Sequence, residues 1–212
     1  EAIGSKLTDI DNNTYIDYAL AAGPVVLGHA PKEVLKAVKN SLTKGQLYYG
    51  QHEIEIELAK QITKIIPSAD RVRFASSGSE AVHAAIRLSR GYTNKKIILK
   101  FHGQYHGWFD NQLVGINPLN KQNNFQNSYG TNMESMGQIP SSAEDIVSIP
   151  WNDINIFKKT IRKYKKDLAA IIMEPIMCNT CVILPKKNYL EDIRKICTQN
   201  KIILIFDEVI TG

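Results

Sequence analysis

The sequence predicts an α/β protein built on a mostly parallel β-sheet that is flanked by helices. From residue 72 onward, short apolar runs alternate with amphipathic stretches, which is the order of strands and helices in such a fold. The runs are apolar at nearly every position, as expected of strands that are covered on both faces. Hydrophobic residues make up 43% of the 212 residues and charged residues 22%, so the chain can bury a sizeable core.

The region before residue 67 predicts a hairpin followed by two helices. Residues 8–18 are expected to form the hairpin, and the Asp-Asn-Asn sequence at 11–13 supplies its turn. Apolar residues then recur every three to four positions over 31–42 and again over 53–66, which predicts two amphipathic helices. We expect their apolar faces to lie inward.

The remainder of the chain predicts strands and helices in alternation. Residues 117–142 are mostly polar and predict a long loop, and loops of this length in compact domains are often functional. The strands are expected at 72–75, 97–101, 146–149, 168–173 and 202–206, and the helices at 79–90, 154–164 and 189–200.

The last predicted strand, 202–206, is apolar throughout and is therefore expected in the middle of the sheet. No further helix follows it before the sequence stops at Gly212. A sheet whose central strand is its last element is incomplete. We therefore expect these residues to be a fragment of a longer protein.

Composition argues against several classes of protein. The net charge of +5 comes from lysines spread along the chain, without the basic stripe and stacking aromatics of a nucleic-acid groove. No apolar run approaches the roughly 18–20 residues of a membrane-spanning helix. The N-terminus lacks the layout of a secretion signal, and the lone C-x-x-C of Cys178 and Cys181 is expected to be reduced. A cytoplasmic location is the expectation.

Ligands of open parallel sheets bind beyond the carboxyl ends of the strands, so we considered the residues that follow each strand. Strand 72–75 is followed by small residues, 76–79, and then at once by a helix. Backbone N–H groups and hydroxyls at such a helix start bind phosphate well. The alternative is a plain helix cap by Ser77 or Ser79. The segment lacks the lysine of a P-loop and the spacing of a dinucleotide motif.

The segment after strand 97–101 offers groups for stacking and proton donation. Tyr105 and Trp108 have flat faces, His106 has a proton to donate, and two glycines let the backbone approach a ligand closely. His102 and His106 have the spacing of a helical metal site, but the glycines make a helix, and hence a metal site, unexpected there.

Carboxylates end the last two strands. Glu174 follows strand 168–173, with Asn179 soon after, and pairing with an arginine is the structural alternative for it. Asp207 follows the apolar strand 202–206, where its charge needs a cationic partner. A protonated heteroaromatic ring nitrogen is such a partner, and a metal or an ion pair is the alternative. A phosphate site, a stacking aromatic and a ring-nitrogen carboxylate at successive strand ends together describe pyridoxal phosphate.

These segments resemble the motifs of the class III aminotransferases, which are pyridoxal-phosphate-dependent enzymes of fold type I. The sequence S-G-S-E-A at 77–81 resembles the family's phosphate segment, and Y-H-G, E-P and F-D-E-V-x-T-G recur at 105–107, 174–175 and 206–212. The sequence G-P-x-x-L-G-H at 23–29 resembles the glutamate-1-semialdehyde aminomutase-like branch. The match covers nearly the whole chain, and the order and spacing of the motifs make it specific.

The resemblance implies a role for each matching position. It implies that Gly78 and Ser79 hold the cofactor phosphate, and that Asp207 pairs with the ring nitrogen. Tyr105 and Val209 would then lie on opposite faces of the ring. The cofactor-binding residues implied in this chain are Gly78, Ser79, Tyr105, His106, Glu174, Asn179, Asp207 and Val209, of which Glu174 and Asn179 would lie near the ring hydroxyl.

The resemblance also implies the organisation of the complete enzyme. Residues 1–50 would belong to a small domain that reaches the substrate mouth, and residues 51–212 to the cofactor-binding large domain. The family's enzymes work as homodimers. The lysine that forms the Schiff base is expected beyond Gly212, so that this chain alone would contain no catalytic residue and would be inactive.

The expected activity is transamination between a small-molecule amino donor and a carbonyl compound. The intramolecular reaction of an aminomutase is the alternative, since both reactions use the same cofactor residues. Ile210 stands where many class III aminotransferases have glutamine, which favours the aminomutase-like branch, whereas His102 stands where that branch often has glutamate. Two rival functions stay open: a non-catalytic relative kept for binding or assembly, and a nucleotide-binding module.

Overall fold

The chain divides into an N-terminal unit, Glu1–Phe74, and a C-terminal unit, Ala75–Gly212. The computed structural model describes residues 1–117 and 127–212, so part of the predicted 117–142 loop lies outside the described residues. The predicted domains, 1–50 and 51–212, refer to the complete protein, and that assignment stays a prediction.

The N-terminal unit begins with a small antiparallel sheet of three strands, β1 (Ala2–Ile3), β2 (Lys6–Thr8) and β3 (Thr14–Ile16). Strands β2 and β3 form the predicted hairpin. The Asp9 carboxylate fixes its turn, because Oδ1 accepts hydrogen bonds of 2.9 Å from the backbone N–H groups of both Asp11 and Asn13. This is the local side-chain bonding that makes aspartate and asparagine favourable in turns.

Helices α1 (Lys32–Leu42) and α2 (Glu53–Ile65) follow at the predicted positions. The expectation that their apolar faces lie inward is wrong for this unit, because neither helix contains a buried residue. Val34 is 43% exposed and Leu58 is 50% exposed. The N-terminal unit, all of whose residues are described, supplies no layer that covers these faces.

The C-terminal unit contains the parallel sheet. Four strands pair in the spatial order β5-β4-β6-β7, and every pairing is parallel. The mostly parallel α/β fold predicted from the sequence is therefore confirmed. Its elements are α3 (Gly78–Thr93), β4 (Ile97–Phe101), β5 (Ile146–Ile149), α4 (Ile154–Tyr164), β6 (Leu168–Met173), α5 (Tyr189–Asn200) and β7 (Ile203–Phe206).

Both faces of this sheet are buried. Phe101 of β4 packs in a cluster with Phe157 of α4 and Ile193 of α5 on one face. Ile98 of the same strand packs with Ile86 of α3 on the other face. All residues of β4 and β6 are buried, which explains why these strands are apolar at successive positions.

One of the predicted strands is wrong in this structure. Residues 72–75 form no strand, because they join no ladder among the described residues and the boundary between the two units falls within them. Strand β7 lies at an edge of the four strands of this chain, and its predicted place in the middle of a longer protein's sheet stays a prediction. Leu204 packs on one face of the sheet and Ile203 on the other, so both faces of this strand are partly covered.

The described part of the predicted long loop is anchored to the sheet. The Asn127 side chain donates hydrogen bonds to the carbonyls of Ala143 and Ile146, at 2.8 and 2.7 Å. Val114 and Met133 form an antiparallel bridge and are both buried. A short 3₁₀ turn at Pro140–Ala143 then leads to β5. None of the helices within the described residues combines the length and apolar character needed to cross a bilayer.

Candidate active site

The first turn of α3 forms what we call the anion cup, Gly78 and Ser79. Ser77 caps the helix, since its hydroxyl accepts a 3.3 Å hydrogen bond from the backbone N–H of Glu80. The N–H groups of Gly78 and Ser79 come next, and N–H groups at this position have no acceptor within the helix. The sequence predicted either phosphate binding or a plain helix cap for this segment. Ser77 makes the helix cap, and the N–H groups of the cup are donors for an anion.

A loop from β4 passes directly against this turn. Gly107 has φ of 113°, and a Cβ there would lie 2.7 Å from the Ser79 hydroxyl and 3.0 Å from its Cα. A side chain at Gly107 is therefore excluded by both backbone conformation and space. The Ser79 hydroxyl accepts a 3.3 Å hydrogen bond from the N–H of Trp108. The predicted Y-H-G segment and the anion cup are thus in contact.

His106 and Asp207 form a buried pair. The distance from His106 Nδ1 to Asp207 Oδ2 is 2.8 Å, and the two side chains are 2% and 7% exposed. Burial lowers the pKa of His106 below its usual value, although the hydrogen bond with Asp207 opposes that shift. A neutral imidazole with its proton on Nδ1 is the donor in this hydrogen bond. Asp207 itself is aligned by its backbone N–H, which donates to the Met173 carbonyl at 2.8 Å.

Glu174 is buried and receives several hydrogen bonds. Its Oε1 accepts from the Tyr105 backbone N–H at 2.7 Å and from the Asn179 amide at 3.2 Å, while Oε2 accepts from the Cys178 N–H at 2.8 Å. The alternative of an arginine partner does not hold, since the ion pairs among the described residues do not include Glu174. Glu174 instead fixes the backbone of Tyr105.

Contacts join all eight predicted cofactor-binding residues into one cluster. The side chain of Val209 lies over Gly78, where a Cβ would meet Val209 Cγ2 at 3.2 Å, and the Val209 N–H donates to Asp207 at 3.3 Å. We call His106, Glu174 and Asp207 the site floor, because their side chains are almost fully buried. The exposed members of the cluster, which we call the site rim, are Tyr105, Asn179 and Val209.

Comparisons with known proteins identify the fold and the family. The family model described as aminotransferase class-III matches residues 1–212. The chain belongs to this family. Pyridoxal phosphate is the cofactor of class III aminotransferases, which agrees with the cofactor predicted from the strand ends. The resemblance noted in the sequence is confirmed.

Among its relatives, the chain is similar to the glutamate-1-semialdehyde 2,1-aminomutase of Methanocaldococcus jannaschii, with 48% identity over 97% of this chain and 47% of that protein. Among solved structures, it is similar to an omega-transaminase from Sphaerobacter thermophilus, with a TM-score of 0.90, 30% identity and coverage of 99% and 48%. A transaminase with PLP bound gives a TM-score of 0.87, 27% identity and coverage of 98% and 47%. The chain spans about half the length of the proteins it matches.

The histidine pair and the C-x-x-C motif noted in the sequence of this class III chain have other surroundings in the structure. The His106 side chain bonds Asp207 and is buried, whereas His102 is only partly buried. Within the described ranges, no three His, Cys, Asp or Glu side chains are arranged to hold a metal ion. Cys178 and Cys181 are both free. Their segment contributes a backbone N–H to Glu174 instead.

Three buried polar residues that support this class III site were not predicted. The Gln104 side chain bonds both the N–H and the carbonyl of Glu174, each at 3.0 Å. The Gln112 side chain donates to the Ser79 carbonyl at 3.0 Å, and Lys100 holds the backbone around Gln112. Lys100 could have been recognised from the sequence, because it is the one charged residue in the apolar run of β4. The two glutamines lie in polar loops, where their types carry no such signal.

Proposed function

We propose that the complete protein is a pyridoxal-phosphate-dependent enzyme that moves an amino group, and that this chain supplies much of its cofactor site. The observation that carries the proposal is the contact network that joins the anion cup to the buried Asp207 carboxylate. Phosphate and a protonated ring nitrogen are the two charged groups of pyridoxal phosphate. The network offers each of them a complementary partner within one cluster.

The residues of this cluster fit the cofactor by their chemistry. Gly78 and Ser79 would hold the phosphate, since helix N-terminal N–H groups and a hydroxyl favour an anion. Asp207 would hold the ring nitrogen. Gly107 keeps the Y-H-G loop against the cup, because a larger residue there would collide with Ser79. Tyr105 and Val209 would pack against the two opposite faces of the cofactor ring. Their side chains are 40% and 59% exposed and so are accessible to a ligand.

Pyridoxal phosphate, when bound, supplies an acceptor for the electrons released at a substrate carbon. The chain's part is to keep a proton on the ring nitrogen, which a charged Asp207 does by electrostatic attraction. His106 would orient that carboxylate through its 2.8 Å hydrogen bond. Glu174 would fix the Tyr105 backbone through its 2.7 Å hydrogen bond and hold Asn179 near the cofactor hydroxyl.

For the reaction itself, we propose the intramolecular transfer catalysed by glutamate-1-semialdehyde aminomutases. The sequence alone favoured transamination between two substrates. The 48% identity of this chain with the aminomutase of M. jannaschii supports the aminomutase reaction. Ile210 in place of glutamine supports the same branch. Transamination is the second candidate, supported by the TM-score of 0.90 with the omega-transaminase.

An assay of the complete protein separates these reactions. The purified protein is supplied either with glutamate-1-semialdehyde alone or with an amino donor and a keto acceptor. We expect turnover of the semialdehyde without a second substrate. Turnover only with the donor and acceptor would overturn the aminomutase proposal and leave amino-group transfer standing.

Cofactor analysis tests the broader proposal. We expect the purified complete protein to be yellow and to release pyridoxal phosphate on denaturation. A protein that binds ATP or NAD and retains no pyridoxal phosphate would overturn the proposal in favour of a nucleotide-binding module. Cofactor binding without turnover of either substrate set would favour the non-catalytic relative. A homodimer and a cytoplasmic location are further parts of this proposal, and sedimentation of the complete protein tests the first.

A further inference from the structure

Lys100 is a charged residue in the most buried part of the fold. It lies in β4, between β5 and β6, and is only 2% exposed. Removing an ammonium group from water is costly, and this burial lowers the pKa of Lys100 to about 7. The pKa falls even though Glu134, Glu174 and Asp207 favour the charged form. A residue retained at this cost needs a structural reason.

The ammonium group of Lys100 bonds backbone carbonyls. Nζ donates to the Val114 carbonyl at 2.6 Å and to the Gln112 carbonyl at 3.2 Å. The ion pairs among the described residues do not include Lys100. Its contacts therefore fix the course of residues 112–114. Because a neutral amine also has N–H groups to donate, both bonds can persist on either side of pH 7.

Gln112 connects this segment to the anion cup. Its side chain is buried, and Nε2 donates to the Ser79 carbonyl at 3.0 Å. The same side chain fills the space beside Gly107, where a Cβ would collide with Gln112 Oε1. Gln112 thus sits between the Y-H-G loop and the first turn of α3. A chain of contacts runs from Lys100 through Gln112 to Ser79.

We propose that Lys100 is a positioning residue for the cofactor phosphate, because it holds Gln112 in the place from which that side chain fixes the anion cup. The inference rests on the proposed function, since the ligand of the cup is the phosphate of pyridoxal phosphate. It assigns Lys100 no contact with the cofactor. Its effect should therefore fall on the phosphate and leave binding of the remainder of the cofactor unchanged.

A comparison of pyridoxal phosphate with pyridoxal, which lacks the phosphate, tests this assignment. In the complete protein, Lys100→Met keeps a side chain of similar length and removes the donors. We expect its Kd for pyridoxal phosphate to rise about tenfold, the equivalent of one hydrogen bond to a charged group, with an unchanged Kd for pyridoxal. Lys96→Met is the matched control, because Lys96 precedes the same strand but is exposed, 3.5 Å from Asp145. It should bind both ligands as the unaltered protein does.

A second variant covers the case in which Lys100→Met does not fold. Gln112→Met removes the donor to Ser79 and keeps the carbonyl that Lys100 bonds. We expect the same selective loss of pyridoxal phosphate affinity, and no further loss when both substitutions are combined, because they interrupt one path. Equal losses of both ligands would indicate a general structural role and overturn the assignment.

The outcomes separate this inference from the proposed function. If the unaltered protein binds pyridoxal phosphate and the Lys100 and Gln112 variants match it, only the positioning role is overturned. If the unaltered protein binds no pyridoxal phosphate, the proposed function fails and the inference fails with it. Selective loss in both variants, with the Lys96 control unchanged, supports the inference.

Discussion

The site floor and the site rim lie beside each other but differ in how they are held. Asp207 and Val209 are only two residues apart, yet the Asp207 side chain is 7% exposed and Val209 is 59% exposed. In the floor, the side chains of His106 and Asp207 bond each other at 2.8 Å. The Glu174 carboxylate accepts hydrogen bonds of 2.7 and 2.8 Å from the backbone N–H groups of Tyr105 and Cys178. In the rim, Tyr105 and Val209 present side chains that are open to a ligand.

The difference indicates which part of the site is preorganised. The floor has its hydrogen-bonding geometry fixed by this chain alone, and preorganised charges act most strongly in a buried site. The rim side chains of Tyr105 and Val209 are exposed in this chain, and a bound ligand would add packing to them. Substitutions in the floor should therefore reduce turnover or stability strongly, and substitutions in the rim should reduce ligand affinity weakly.

The largest effect is expected for the floor carboxylate. Asp207→Ala in the complete protein should reduce turnover about 100- to 1000-fold, the range found when one preorganised electrostatic partner is removed. It should also loosen the cofactor. The measurement is kcat for the proposed reaction. Asp167→Ala is the control, because Asp167 is exposed and precedes β6 at the opposite end of the strands.

Chemical rescue sharpens this test. A cofactor methylated on the ring nitrogen has a permanent positive charge and needs no carboxylate to keep a proton there. We expect it to restore part of the turnover of Asp207→Ala. Unchanged activity in Asp207→Ala with the ordinary cofactor would show that this part of the floor does not have the proposed role.

Glu174→Gln is expected to reduce stability. The carboxylate accepts hydrogen bonds from Tyr105, Cys178 and Asn179, and an amide in its place would set its own donors against at least one of theirs. An unsatisfied buried group of this kind costs about 1–3 kcal/mol in the free energy of unfolding. Denaturant unfolding of the complete protein measures it. The exposed Glu144→Gln should be neutral, and an equally small effect at Glu174 would contradict the fixed geometry of the floor.

Ser79→Ala tests the anion cup next to the floor. Loss of one hydroxyl that bonds a phosphate should raise the Kd for pyridoxal phosphate about tenfold. The Kd for pyridoxal should change less. Ser77→Ala, which removes the helix cap, is the comparison, because it should reduce stability more than phosphate binding. Equal effects of both changes on phosphate binding would favour the plain capping role for this segment.

The sequence predicted local elements of the fold well and long-range ones less well. Strands such as 97–101 and 168–173 were correct because both of their faces are buried within this chain. The edge position of β7 and the uncovered faces of α1 and α2 were not predicted. Both depend on which element covers or pairs with another, and apolar composition does not contain that information.

For the site, the sequence predicted residues at strand ends but not what holds them. Asp207 and Glu174 follow apolar strands, which is a local signal. Gln104 bonds Glu174 across 70 positions of sequence, and Gln112 bonds Ser79 across 33. The partners in these bonds are backbone groups, which every residue has. Only the fold determines which of them meet.

The smallest effect is expected at the rim. Val209→Ala removes two methyl groups that are largely exposed, worth about 0.5–1 kcal/mol if a ligand covers them in part. The Kd for pyridoxal phosphate should therefore rise only about two- to fivefold. Leu88→Ala, another exposed apolar truncation in the same unit, should leave the Kd unchanged. If Val209→Ala raised the Kd for pyridoxal phosphate as much as Asp207→Ala does, the division into floor and rim would be contradicted. An exposed side chain would then hold the cofactor as firmly as the buried carboxylate.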